Sequence, residues 1–218
     1  PAVLELCKDL QRQGYEVDFV PVDRQGKLNL ADFVRALRPD TLLVSVMHAN
    51  NETGVVFPID ELARLTKETD RDILFHTDAT QTAGKLPLNL SGALHDVDLL
   101  SFSGHKLHAP KGVGALYIRR GVPLRPLLIG GHQEANRRAG TENTAFIVAL
   151  AKACALAMKQ HEEESRLRIL RDRLERELCA RIPFVEVNGG GAERLPNTLN
   201  LSLHYIEGEG ILYQLSNA

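Results

Sequence analysis

The sequence lacks tryptophan, has only 5% aromatic residues, and shows no marked excess of either charge. Its 26 basic and 28 acidic side chains give a formal net charge of −2, so nothing indicates nucleic acid or an anionic membrane as a partner. No apolar run approaches the ~18 residues needed to cross a membrane. We see no internal repeat and no low-complexity segment. What is left is an ordinary globular composition, and 218 residues allow one large domain, or one domain and part of a second.

Cysteine is also scarce. Only Cys7, Cys154 and Cys179 are present, far apart and without a CxxC pair. An odd, unclustered count predicts reduced thiols, a cytoplasmic setting and no structural zinc. Free cysteine usually behaves as a small buried hydrophobe, so we expect a structural role for each of the three.

Four histidines near polar segments raise the question of a metal site. They are His48, His76, His105 and His108. Their spacing matches no common zinc pattern, such as HxxxH with a third ligand. We therefore expect no metal site in this chain.

Apolar segments alternate with helical patterns along the first half of the chain. The predicted strands are Tyr15–Val20, Thr41–Met47, Ile73–Phe75, Asp96–Leu100 and, in the antiparallel direction, Ala115–Ile118. The predicted helices between them include Leu30–Leu37, capped by Asn29, and Pro58–Glu68. Strands that alternate with helices of this length favour an α/β fold with a mainly parallel sheet covered by helices.

Lys106 follows one of these strands within the stretch Ser101–Lys106. The carboxyl ends of strands line the ligand crevice of an open α/β sheet. One interpretation is a solvated lysine in a turn. The other is a desolvated lysine that holds pyridoxal phosphate as a Schiff base.

Asp78 ends the preceding apolar strand, which begins at Ile73. Pyridoxal phosphate needs a carboxylate facing its ring nitrogen, because the protonated ring then accepts electrons from the substrate. Taken alone, Asp78 is equally consistent with a turn or a helix N-cap. A carboxylate and a lysine at neighbouring strand ends make the cofactor interpretation more specific.

A glycine-rich segment, Gly130–Asn143, contains Arg137 and Arg138 and leads into a helical pattern. We expect Thr141 to cap that helix, whose amino end beside two arginines would be a natural anion site. A plain interdomain loop is the alternative.

Five segments together resemble one family. They are MHANNETGVV (47–56), HTDATQTAGKLPLNL (76–90), SFSGHKLHAPKGVGALYIRRG (101–121), GGHQEANRRAGTEN (130–143) and NTLNLSLHYIEGEGIL (197–212). Their order and spelling are similar to those of the NifS-type cysteine desulfurases, within the class V aminotransferases. The resemblance implies the aspartate-aminotransferase-like fold (PLP fold type I) and pyridoxal 5'-phosphate as cofactor. The spelling of 108–112 most resembles the nitrogen-fixation branch.

The resemblance also implies the work of individual residues. Lys106 would hold the cofactor and carry protons, and Asp78 would face the ring nitrogen. Asn51 and Gln81 would lie at the ring oxygen, and Asn51 also in the region of the substrate carboxylate. The phosphate would lie against Ser103 and His105, and Thr141 would reach the phosphate of a second subunit, so that the site exists only in a homodimer. Ala135 and Asn136 depart from the Arg-Gly or similar pair usual in the family.

The resemblance implies two domains. Residues 1–143 would form most of the cofactor domain, and residues 144–218 a long linking helix and the first part of a small α+β domain. The stacking histidine of the family would fall just before Pro1, and its nucleophilic cysteine beyond Ala218. We therefore expect an internal piece of a longer enzyme that lacks desulfurase activity alone.

The implied reaction converts L-cysteine to L-alanine, with the sulfur carried as a protein persulfide to an iron–sulfur scaffold protein. Nitrogenase assembly would be one destination. Two alternatives remain at this stage. One is another enzyme of the fold, such as a selenocysteine lyase, an epimerase or an aminotransferase. The other is a catalytically silent fragment that serves in dimerisation.

Overall fold

The computed structural model describes residues 2–159 and 161–217, with the side chains of 2 and 161–164 left aside. Seven helices are described: α1 (Ala2–Arg12), α2 (Leu30–Ala36), α3 (Ile59–Thr69), α4 (Gln133–Asn136), α5 (Thr144–Ala157), α6 (His161–Arg181) and α7 (Gly208–Ser216). Six strands accompany them: β1 (Leu43–Met47), β2 (Leu74–Asp78), β3 (Leu99–Ser103), β4 (Gly114–Ile118), β5 (Val185–Val187) and β6 (Leu201–Leu203). None of the described helices is both long and apolar enough to cross a membrane.

The main sheet has the order β1-β2-β3-β4. The first three strands run parallel, and β4 returns antiparallel beside β3. This confirms the predicted mainly parallel sheet and its antiparallel return. Strands β5 and β6 form a separate antiparallel pair.

One face of the main sheet carries the hydrophobic core. Phe75 of β2 is completely buried, and Leu62 and Ala63 of α3 pack in the same cluster with Phe33 of α2. Side chains alternate along a strand, so the residues between these core positions lie on the opposite face. That opposite face carries a polar row, which includes His76 and Asp78.

Local signals set the ends of the first helices. Gly14, with φ +92°, follows α1, and such a left-handed residue is typical of a helix C-terminus. Pro1 lies outside the described residues. The side chain of Asn29 accepts hydrogen bonds from the amides of Ala31 and Asp32, which confirms it as the cap of α2.

The predicted strand Tyr15–Val20 is wrong. The segment has no ladder partner in the part of the chain that the structure describes. Its polar side chains instead hold Arg38, whose Nη1 lies 2.8 Å from Glu16 and 2.9 Å from Asp18. Alternation of apolar and polar residues favours a strand only where a neighbouring backbone offers hydrogen bonds.

The single long linking helix predicted at the start of residues 144–218 is two helices, α5 and α6. Helix α5 ends at Ala157, with Met158 as its C-cap, and neither proline nor glycine occurs there. The predicted division into domains at residues 143 and 144 stays a prediction. The segment Glu193–Pro196, beyond that division, packs against residues 54–56 of the first half.

Candidate functional site

The polar ends of three parallel strands meet at one edge of the main sheet. Asp78 pairs in register with Met47 of β1 and with Ser101 of β3. Two residues beyond Ser101, β3 ends at Ser103. The parallel pairing therefore brings the segments that follow β1, β2 and β3 to the same edge, as expected for a ligand crevice.

Asp78 is half-buried at this edge. Its Oδ1 accepts a hydrogen bond from the amide of Thr80 at 2.8 Å, the contact of a turn residue. Its backbone oxygen accepts from the amide of His48 at 2.8 Å. Among the residues that the structure describes, no hydrogen-bond donor engages Oδ2. The carboxylate thus organises its turn through Oδ1 alone.

His76 lies on the same face, two residues before Asp78, and bridges three strands. Its Nδ1 is 2.8 Å from the hydroxyl of Ser45, and its Nε2 is 3.0 Å from that of Ser101. Burial lowers the pKa of His76 below its ordinary value of 6.5, against the opposing effect of Asp78. The imidazole is thus held in place beside Asp78 by two hydroxyl groups, and burial disfavours its charged form. The sequence interpretation gave His76 no part, although its period-2 spacing from Asp78 was a visible signal.

The segment after β3 is a single turn of 3-10 helix, Gly104–Leu107. Gly104 is buried, and a Cβ there would lie 2.9 Å from the backbone oxygen of Val113 and 3.0 Å from Leu150. Only glycine therefore fits where the chain turns from strand to helix.

The close turn at Gly104 brings its two neighbours together. The Ser103 hydroxyl and His105 Nδ1 lie 2.7 Å apart and share a hydrogen bond. Lys106 is exposed to solvent in the described structure. The predicted hydroxyl, imidazole and amine thus lie within four residues, Ser103–Lys106, at the end of β3 and in the turn that follows it.

A second lysine belongs to the same neighbourhood. Burial, and secondly repulsion from Lys106, lower the pKa of Lys85 below its ordinary value. The Lys85 amine donates to the backbone oxygen of Gln81 at 2.9 Å. Gln81 is half-buried in the turn after Asp78. The turn 79–85 lies against the 3-10 helix, since a Cβ on Gly84 would lie 2.5 Å from Leu107.

Asn51 is exposed in the loop that follows β1. The loop is built by the neighbouring Asn50, whose Oδ1 accepts from the amides of Glu52 and Thr53, both at 2.9 Å. The amide of Gly54 donates to the backbone oxygen of Asn50 at 3.1 Å and closes the turn. Asn51 is thus held at the tip of a closed turn at the carboxyl end of β1.

Thr141 lies in an exposed loop, and the predicted helix cap is wrong by two residues. Helix α5 begins at Thr144, and the side chain of Asn143 caps it by accepting from the amide of Phe146. Asparagine and threonine are both good caps, so sequence alone ranked them poorly. No described contact joins Thr141 to Asp78 or Lys106.

The loop before Thr141 has an unusual backbone. Glu134, Ala135 and Asn136 adopt φ values of +50°, +54° and +66°, in the left-handed region that disfavours side chains with a Cβ. Ala135 and Asn136 are the two positions at which this sequence departs from the family pattern. The departure therefore coincides with a locally strained turn, α4.

Elsewhere the histidines and cysteines have ordinary surroundings. Within the described residues, no three His, Cys, Asp or Glu side chains cluster as metal ligands would. Burial raises the pKa of the Cys154 thiol, which makes it a poorer thiolate. Cys7 is half-buried, but Cys179 is exposed, so the expectation of a buried thiol is wrong there.

Comparison with known proteins supplies a second line of evidence. A cysteine desulfurase of Trichormus variabilis is 54% identical over 215 residues, covering 99% of this chain and 53% of that protein. The cysteine desulfurase NifS of Azotobacter vinelandii is 51% identical over 217 residues, with coverages of 99% and 53%. The chain spans about half the length of the curated relatives it matches.

Solved structures agree with these relatives. A NifS-like protein superposes with a TM-score of 0.93 at 40% identity, covering 99% of this chain and 58% of the other. A structure titled SspA in complex with cysteine gives a TM-score of 0.80 at 32% identity, with coverages of 99% and 58%. The predicted aspartate-aminotransferase-like fold is thereby confirmed. Since the sequence profile of the family Aminotransferase class-V also matches residues 1–218, this chain belongs to that family.

Proposed function

We propose that this chain forms the cofactor-binding part of a pyridoxal-phosphate-dependent cysteine desulfurase. The observation that carries the proposal is the placing of Asp78 and the turn Ser103–Lys106 at one sheet edge, in a chain whose relatives are named cysteine desulfurases. The net reaction breaks the C–S bond of L-cysteine, leaves the sulfur on a protein thiol as a persulfide and releases L-alanine.

The side chains at the edge fit pyridoxal phosphate in their chemistry. A tight turn that offers a hydroxyl, an imidazole and close backbone amides is suited to a phosphate group. Asp78 has a carboxylate oxygen available for a protonated ring nitrogen. The buried Gly104 admits no side chain between Ser103 and His105, which keeps the turn tight. The amine of Lys106 follows at once and is accessible.

Each residue then has a defined task. Ser103 and His105 bind the phosphate, while Asn51 and Gln81 donate amide hydrogens to the ring oxygen without adding charge. Asp78 holds a proton on the ring nitrogen, and Lys106 holds the cofactor and carries a proton to or from the substrate α-carbon. When bound, pyridoxal phosphate supplies a ring that accepts electrons released at that carbon. None of Cys7, Cys154 and Cys179 carries the sulfur.

The first test is borohydride reduction of the purified chain after incubation with pyridoxal phosphate, followed by peptide mass spectrometry. We expect a pyridoxyl group on Lys106, lost in Lys106→Ala and kept in Lys111→Ala, an exposed lysine five residues away. An adduct spread over surface lysines, or none in a chain that circular dichroism finds folded, would contradict the proposal.

The reaction is tested by its products. We expect L-alanine and persulfide sulfur from L-cysteine when the thiol is provided by the whole protein, with no change in Cys7→Ala, Cys154→Ala or Cys179→Ala. An exchanged amino group would instead identify an aminotransferase. Desulfurase activity of this 218-residue chain that disappears in Cys154→Ala or Cys179→Ala would overturn the assignment of the thiol.

The proposal also includes a homodimer in which Thr141 reaches the partner's phosphate, cytoplasmic location, and an iron–sulfur scaffold protein as sulfur acceptor. Mixed dimers test the first point. A Lys106→Ala subunit paired with a Thr141→Ala subunit retains one complete site, so tight cofactor binding should return at one of the two sites of each mixed dimer. No recovery in a confirmed mixed dimer would mean that Thr141 serves its own subunit or neither.

A further inference from the structure

A buried arginine far along the chain reaches the loop that carries Asn51. Arg194 is 7% exposed, and its Nη2 lies 2.7 Å from Glu175 of helix α6. Arg171, one helical turn before Glu175, donates from Nη1 to the backbone oxygen of Leu195 at 2.7 Å. Helix α6 therefore holds both the side chain and the backbone of the segment Glu193–Leu195, which we call the strap.

The strap is paired with the Asn51 loop along its length. The amide of Val56 donates to Glu193 at 2.9 Å, and the amide of Leu195 donates to Gly54 at 2.8 Å. Val55, only 1% exposed, forms a β-bridge with Arg194.

Two further observations show that the loop lies close to residues 198–200. A Cβ on Gly54, which has φ +74°, would lie 2.7 Å from Thr198. The side chain of Asn200 donates to the backbone oxygen of Glu52, the residue after Asn51, at 3.2 Å. The position of Asn51 is consequently defined from outside its own loop.

Burying the ion pair of Arg194 and Glu175 carries a desolvation cost that offsets much of its attraction. Arg194 Nη1 is buried without a hydrogen-bond partner among the described residues. A buried ion pair often contributes no more than apolar residues of similar volume, whereas it fixes one arrangement of the groups around it. Net stabilisation therefore does not explain why Arg194 is buried in an ion pair. A role in fixing the geometry of the strap does.

We propose that Arg194 is a positioning residue for Asn51: through Glu175 and the strap, it fixes the loop 50–56 so that Asn51 meets the cofactor. The inference rests on the proposed function only for what Asn51 touches. The coupling between helix α6 and the loop stands on the contacts alone. Displacement of α6 relative to the main sheet would accordingly move Asn51.

The coupling is tested first without cofactor, by amide hydrogen exchange in the purified chain. Arg194→Met should speed exchange of the amides at 52–56 by about tenfold or more, with the amides of β1 and β2 unchanged. Glu175→Gln, which keeps the shape and an acceptor, should give a smaller change in the same amides and serves if Arg194→Met does not fold. Unchanged exchange at 52–56 in a folded variant would overturn the coupling.

The matched control is Arg173→Met. Arg173 pairs with Glu177 on the same helix, also at 2.7 Å, but its side chain is 67% exposed. The Arg173→Met substitution also removes an arginine that pairs with a glutamate of α6, but Arg173 does not contact the strap. We expect no change in exchange at 52–56. Faster exchange there in this control would attribute the effect to α6 in general and would contradict a specific role of Arg194.

The positioning role is tested by pyridoxal phosphate affinity in a double-mutant cycle. Asn51→Ala should weaken binding by about tenfold, the cost of one hydrogen bond to a charged group. If Arg194 acts through Asn51, Arg194→Met should lose no further affinity in the Asn51→Ala background. Additive losses would reduce Arg194 to a purely structural residue. Wild-type failure to bind the cofactor would refute the proposed function, while the exchange experiment would still decide the coupling.

Discussion

The Ser103 hydroxyl and the Nδ1 atom of His105 share a 2.7 Å hydrogen bond across the buried Gly104. The bond pre-orients two groups that would otherwise rotate freely at the end of β3. Because both groups are already held in place before a phosphate binds, less conformational entropy is lost on binding.

Ser103→Ala should weaken binding of pyridoxal phosphate by about ten- to a hundredfold, since a hydrogen bond to a charged group contributes about 1.5–3 kcal/mol. Pyridoxal, which has no phosphate, is the matched ligand. Its weaker binding should not change in the variant. Absorbance titration measures both affinities, and equal losses for the two ligands would place Ser103 away from the phosphate.

Two histidines, the buried His48 and the half-buried His76, predict how stability depends on pH. Burial lowers the pKa of His48 and of His76 below 6.5. The unfolded chain therefore binds protons that the folded chain does not, and the free energy of unfolding should fall as pH decreases from 6.5 toward the folded pKa values. Above about pH 7, the contribution of these histidines is fully present.

Urea unfolding between pH 5 and pH 8 measures this dependence. His76→Asn should flatten the slope below pH 6.5, whereas His95→Asn, at an exposed site, should leave it unchanged. NMR titration of the imidazole resonances checks the cause directly. A folded-state pKa of His76 at or above 6.5 would refute the explanation.

Much of this edge could be predicted from the sequence because its signals are local. The apolar run before Asp78 and the pattern before Ser103 each end in polar residues, and parallel strands align such ends. The antiparallel return at 114–118 follows from the glycines around Val113. The structure places these segments together without correction.

The remainder depends on contacts between distant residues. Alternation in Tyr15–Val20 predicted a strand, but pairing needs a partner that no local pattern reports. Arg194 meets Val55 across more than a hundred positions, and nothing near either residue indicates the other. Thr141 and Asn143 are competing caps two positions apart, and backbone geometry decides between them.

Asp98 links helix α3 to strand β2, so we predict that its substitution lowers the free energy of unfolding strongly. Its side chain is 6% exposed, accepts from the amide of Phe75 at 2.8 Å and lies 2.6 Å from the amine of Lys67. Asp98→Asn would leave Lys67 without its counter-charge. We expect a loss of about 2–4 kcal/mol in the free energy of unfolding. Asp96→Asn, a neighbouring and more exposed carboxylate, should cost less than about 1 kcal/mol in the same urea experiment.

We predict that a side chain at position 104 lowers both the stability of the fold and its affinity for pyridoxal phosphate. In Gly104→Ala, the added Cβ would press on Val113 and Leu150. The turn must then shift, which should cost about 1–3 kcal/mol of stability and separate Ser103 from His105. Pyridoxal phosphate affinity should therefore fall together with stability.

Gly210→Ala is the matched control, because a Cβ at Gly210 in helix α7 meets nothing within 4 Å. Alanine is the better helix former, so this variant should gain up to about 1 kcal/mol in the free energy of unfolding. Its affinity for pyridoxal phosphate should be unchanged. If Gly104→Ala instead binds the cofactor as tightly as the wild type, the close turn at Gly104 is not what arranges the phosphate donors, and the 2.7 Å contact between Ser103 and His105 has no part in binding.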